Sequence, residues 1–206
     1  MSDGLQAEQA VARWLRQAAE VLHAVNPKAL ARAAQVLVEV RARGGVIYTS
    51  GNGGSASAAS HLALDLQKAA REPGGSGARA VSLSDNVGLI TAWANDTAFD
   101  RVFAEQLDVL GQPGDGVVVI SVSGSSSNLL ALLEVARSKE IVSVGLLGRD
   151  GGRAAAMVDV PVVVPSSDYG WVEAAHVVLH HVLTYALRDA AATRELTHGP
   201  VGAVRR

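Results

Sequence analysis

The sequence predicts an α/β fold, a parallel sheet of about five strands with helices on both faces, preceded by a pair of helices. Three observations point there. Short β-branched runs such as Val46–Tyr48, Val117–Ile120 and Ile141–Leu147 alternate along the chain with stretches of helical periodicity. Two of these runs break directly into Gly/Ser loops that open helices, as parallel strands do at their carboxyl ends. Finally, 206 residues that are 49% hydrophobic and 18% charged suffice for one sizeable core.

In order, Ala10, Val11, Trp14, Leu15, Ala18, Ala19 and Leu22 share one face of a helix between Leu5 and Val25. Asn26-Pro27 stops it, and Pro27 suits the first position of a second helix, which runs to about Arg43 and ends at Gly44-Gly45. This pair, residues 1–45, can fold back on the sheet or pack on a second subunit; we favour an oligomerisation role. Val46–Tyr48 begins the first strand, residues 49–55 form a loop, and Ala56–Ala70 reads as a helix. Arg71–Ala78 is a Pro/Gly-rich loop, Arg79–Leu83 a strand, Asn86–Trp93 a helix, and Phe99–Leu110 another after the break at Asn95-Asp96. Beyond the central strand and its helix, Ile141–Leu147 and Val158–Val164 complete the sheet, Gly148–Gly152 is a turn, and Trp171–Arg188 is a long apolar helix. The sheet domain is thus expected over 46–190, with a frayed tail over 191–206.

Composition narrows the function classes. With no cysteine there is neither a disulfide framework nor a thiolate metal site. No secretory pattern opens the chain and no apolar run would span a bilayer, so a cytoplasmic location is expected. A formal net charge of −2 without a basic block leaves no footprint for nucleic acid.

The chemistry concentrates after the central strand, in Ser121-Val122-Ser123-Gly124-Ser125-Ser126-Ser127-Asn128. The first turn of the following helix leaves N–H groups without intrahelical partners at the positive end of the dipole, and serine hydroxyls add donors, which is the chemistry of a phosphate site. A flexible Ser/Gly linker would share the composition, but it would not join a buried strand to an amphipathic helix without a gap. The earlier loop, Gly51-Asn52-Gly53-Gly54-Ser55, repeats the layout, its glycines allowing close approach to a ligand.

Titratable side chains gather on two helices. His61 and Asp65 are four apart on one face, and Glu173, His176, His180 and His181 fall within about two turns. If the helices meet, they form either a nitrogen and oxygen metal site or an acid–base pair. His23 and His198 read as ordinary helix residues.

These segments, with Ala94-Asn95-Asp96 and Gly148-Arg149-Asp150-Gly151-Gly152, resemble in order and spacing the sugar isomerase (SIS) domain, a flavodoxin-like three-layer sandwich. Within that family they most resemble the phosphoheptose isomerases, which convert sedoheptulose 7-phosphate to a mannoheptose 7-phosphate. The resemblance implies a homotetramer built on the N-terminal helices, with a sugar phosphate as ligand. It places substrate contacts at Asn52, Gly53, Ser55, Asp96, Ser121, Ser123 and Ser126, and proton transfer at Asp65 and His181. It also implies one Zn²⁺ per site, held by His61, Asp65, Glu173 and His181. His181 is preferred to His180 because the family separates its two histidines by five residues, as His176 and His181 are here; on helical geometry alone His180 lies closer to the His176 face.

The chain departs from the family pattern at Asp65, where glutamate is usual, at Glu173 in place of glutamine, at Val122 in place of threonine and at Trp171 in place of arginine. Asp65 is one methylene short, and a misplacement on the order of 1 Å can cost on the order of 10²-fold in rate. A second carboxylate at Glu173 favours a cation between the two. The competing expectation is a non-catalytic SIS protein that binds a sugar phosphate or a replication-initiator-type partner, suggested by Asp85-Asn86-Val87. A sugar sensor of a transcription factor would need a DNA-binding segment that this sequence lacks.

Overall fold

The computed structural model describes residues 2–70 and 77–198. Helices α1 (Ser2–His23) and α2 (Pro27–Ala42) precede β1 (Val46–Gly51) and α3 (Gly54–Lys68). Then come β2 (Arg79–Ser82), α4 (Val87–Asp96), α5 (Ala104–Leu110), β3 (Gly116–Ser121), α6 (Ser127–Ser138), β4 (Val142–Gly148), β5 (Val160–Val164) and α7 (Tyr169–His198). The five strands form one parallel sheet in the order β2-β1-β3-β4-β5. The strand order reverses between β1 and β3, the crevice where such sheets bind ligands.

Local chemistry starts the helices where the sequence signals them. Asn26 accepts hydrogen bonds from the amides of Lys28 and Ala29, with Pro27 in the first turn of α2. Asn86 caps α4 by accepting from Leu89 N, and Asp168 Oδ1 accepts from Trp171 N at the start of α7. Alternation along β3 splits the core into two layers. Val118 and Ile120 face α2, α3 and α7 through Leu37, Leu62, Leu66, Leu179 and Leu183; Val117 and Val119 face α5 and α6 through Leu107, Leu129, Leu132 and Leu133.

The elements differ from expectation at their edges. A 3-10 turn over Phe99–Arg101 precedes α5, so the expected helix over 99–110 is two pieces, and Asn95-Asp96 continues α4 instead of breaking it. A second 3-10 turn covers Arg153–Ala156. Helix α7 runs on past Arg188 to His198, so the frayed tail expected from 191 is helical that far; the remainder of it, and the loop segment 71–76, lie outside the described residues. Helix α2 folds onto the sheet, burying Ala33, Val36, Leu37 and Val40, whereas α1 leaves Trp14 47% and Leu15 67% exposed. Among the described residues, no helix is long and apolar enough to cross a membrane.

Candidate active site

Two loops at the carboxyl ends of β1 and β3 form the polar floor of the crevice. Ser121 ends β3 buried, and its Oγ accepts from Gly124 N at 3.0 Å, which turns the loop back on itself. Gly124 has φ +60° and lies so close to the Gly151 carbonyl that a Cβ there would overlap it; Ala154 N donates to Gly124 O at 2.8 Å. The Gly148–Gly152 turn thereby becomes the backing of the serine loop. Ser123 Oγ accepts from Ser125 N, and Ser126 is the N-cap of α6 with no capping bond from its side chain. The Ser126 hydroxyl and the Ser127 and Asn128 amides at the start of α6 are therefore available to an anion.

The loop after β1 is joined to this one by a paired amide contact that the sequence does not announce. Asn52 Nδ2 donates to Asn128 Oδ1 at 2.9 Å, and Asn128 Nδ2 donates back to Asn52 Oδ1 at 2.8 Å. Ser55 is buried, its amide donating to Asn52 O, and Gly53 takes φ +56° as the N-cap of α3. Asp96 sits on the exposed end of α4, accepting from Asn95 Nδ2 at 2.9 Å; among the described residues it makes no hydrogen bond to either loop.

Above this floor α3 packs on α7, and the two titratable helices meet. Helix α7 buries Val172, His176, Leu179, His180, Leu183 and Leu187, a stripe of helical spacing with two histidines inside it. Asp65 projects from α3 between the α7 histidines, and its Oδ2 lies 3.0 Å from His181 Nδ1, 3.7 Å from His180 Nδ1 and 3.6 Å from His61 Nε2. None of the three contacts has hydrogen-bond geometry, and this Oδ2 is buried without a partner. Donor atoms of His61, His180 and His181 lie within 4.8 Å of one another, a group able to hold a metal ion. The fit is supported by the orphaned atoms themselves, since a cation would satisfy both Asp65 Oδ2 and one of the two partnerless His180 nitrogens.

Both histidines between which the sequence left a choice thus reach the carboxylate, because Asp65 stands at the seam between their directions on α7. Glu173, expected beside them, has its carboxylate packed over Gly54, where a Cβ would collide with it. That is the positive end of α3, a favourable berth for a carboxylate.

Burial lowers the His180 pKa to about 4, with His181 and His61 adding to the effect and Asp65 opposing it. Burial likewise lowers His176 to about 4, offset only in part by the Leu147 backbone. Between about pH 6.5 and 4 the unfolded chain therefore binds more protons at His176 than the folded one. Stability is complete above pH 6.5 and falls as the pH drops through that window. His176→Met should flatten this acid limb, read as a smaller decrease in Tm between pH 7 and pH 4.5 than in the parent chain.

Residues 13–148 match the model of a family described as the SIS domain. The chain belongs to the SIS domain family. Among its SIS relatives, a phosphoheptose isomerase of Trichlorobacter lovleyi is 40% identical over 75% of this chain and 78% of its own length. One from Helicobacter pylori is 37% identical over 76% and 81%. The structure of phosphoheptose isomerase GmhA from Neisseria gonorrhoeae superposes with a TM-score of 0.81 at 30% identity, covering 89% of this chain and 99% of that one. A phosphoheptose isomerase from Francisella tularensis gives 0.82 at 30%, covering 90% and 98%. The SIS match ends at the last residue of β4, so the histidines of α7 lie beyond it.

Proposed function

We propose that this chain interconverts the ketose and aldose forms of a sugar phosphate, with sedoheptulose 7-phosphate as ketose and D-glycero-D-manno-heptose 7-phosphate as aldose. The observation that carries the reading is the 3.0 Å approach of Asp65 to His181 above a phosphate-type serine loop. The names of the relatives that share most of the chain, phosphoheptose isomerases, support a heptose phosphate as the substrate.

Phosphate is held by Ser55, Ser121, Ser123, Ser126 and the α6 amides, with Asn52, Gly53 and Asp96 serving the sugar. This anchoring sets C1 and C2 between α3 and α7. Asp65 takes a proton from C1 of the ketose while His181 donates one to the C2 carbonyl oxygen, giving the ene-diol. His181 then takes the proton of the C1 hydroxyl, and the Asp65 carboxyl, once its proton has exchanged with solvent, delivers a proton to C2, leaving an aldehyde at C1. Zn²⁺ suits the nitrogen and oxygen donors of His61, Asp65 and the α7 histidines, and when bound it polarises the sugar oxygens. We further assign α1, with Trp14 and Leu15 exposed, to the core of a homotetramer acting in the cytoplasm.

A purely binding role is not favoured. The Asp85-Asn86-Val87 run that suggested it has structural work instead, as Asn86 caps α4 and Asp85 accepts a short hydrogen bond from Ser60 Oγ. Incubation with sedoheptulose 7-phosphate in D₂O, followed by NMR, should show deuterium entering C1 and C2 at a catalytic rate. Absence of exchange with and without added Zn²⁺ would reject the isomerase reading.

A further inference from the structure

We propose that His180 is a third imidazole ligand of the metal centre, in the place that the family resemblance gives to Glu173. The inference rests on the metal-bearing site described above and concerns which residues make it.

A neutral imidazole carries one donor and one acceptor, and burying both without partners is costly. His180 is 0% exposed, and neither of its ring nitrogens has a hydrogen-bond partner. Its ring centroid lies 4.6 Å from that of His61 and 4.3 Å from that of His181. Its Nδ1 also points to the orphaned Asp65 Oδ2 at 3.7 Å. His176, equally buried and one turn earlier on α7, faces the Leu147 backbone and belongs to no such group. Three imidazoles and one carboxylate are a donor set that suits a borderline divalent ion. Glu173 is held elsewhere, over Gly54 at the start of α3, where the helix dipole already balances its charge. A ligand set with Asp65 as its one carboxylate keeps positive charge on a divalent ion that Glu173 would otherwise cancel.

The test counts imidazoles on the unmodified chain. Protein labelled with ¹⁵N-histidine is loaded with ¹¹³Cd²⁺, and histidine nitrogens coupled to cadmium are counted by NMR. Three coupled rings are expected; two would overturn the assignment, as would failure of the protein to bind the ion. Competition with a chelator supplies the second readout. His180→Leu should weaken Zn²⁺ binding by at least about 100-fold, more than the loss of an outer-shell partner, whereas Glu173→Gln should leave it within about 2-fold. The reverse order would return the site to Glu173. The cadmium count does not depend on the variants folding. Because it also does not depend on turnover, it can fail while deuterium exchange into the sugar succeeds, and the reverse.

Discussion

Asp65→Asn is expected to lower the rate of C1 and C2 proton exchange by about 10³-fold, within the range that a positioned general base supplies. The amide keeps the shape of the carboxylate but cannot accept the proton. Inorganic phosphate affinity, measured by calorimetry, should stay within about 2-fold of the parent. Most of the phosphate donors sit on the serine loop between β3 and α6, and Ser55 stands at the opposite end of α3, ten residues before Asp65. Retained exchange would remove Asp65 from the role of base. A parallel loss of phosphate affinity would mean that the variant had disturbed the fold.

Gly124→Ala should have the second large effect, on the binding half of the site. The substitution imposes a left-handed conformation on a residue with a Cβ and drives that Cβ into the Gly151 carbonyl. Strain of this kind costs about 1–3 kcal/mol, and relief requires the serine loop to leave its backing. Phosphate affinity should fall at least about 10-fold, along with Tm. Gly44→Ala is the control, because Gly44 has φ +80° with nothing within 4 Å of an added Cβ. It should lower Tm through strain alone and leave phosphate binding unchanged. Equal effects of the two on phosphate would show that the loop does not need its contact with the Gly151 turn.

What could be read from the chain was whatever local spacing encodes. β-Branched runs marked the strands, Asn26-Pro27 and Asn86 marked helix starts through their own side-chain chemistry, and the His61/Asp65 interval fixed a shared helix face. The strand order was not legible, since nothing local in Arg79–Ser82 says that it pairs outside β1 instead of beside β3. Nor was the meeting of α3 with α7, which depends on the apolar stripe of α7 choosing its neighbour. The pairing of Asn52 with Asn128, 76 residues apart, left no trace beyond two amides at loop ends. The place of Glu173 was hidden for the same reason. Its charge suggested a metal, while the helix start over which its carboxylate packs lies more than a hundred residues earlier in the chain. His180 was legible as a residue of the cluster, but its complete burial was not.

The division of labour between the serine loop and α7 also orders events during synthesis. By the time residue 156 has left the ribosome, the chain holds both loops, the Gly148–Gly152 turn that backs the serine loop, α3 and the central strands, and so the parts that the proposed reading gives to the phosphate. It does not yet hold His180 or His181, and Asp65 has no imidazole from α7 opposite it. A nascent chain ending before Tyr169 thus holds the proposed phosphate loops without the proposed proton-transfer pair, which is complete only once the final helix packs on α3 and closes the core around Leu62 and Leu66.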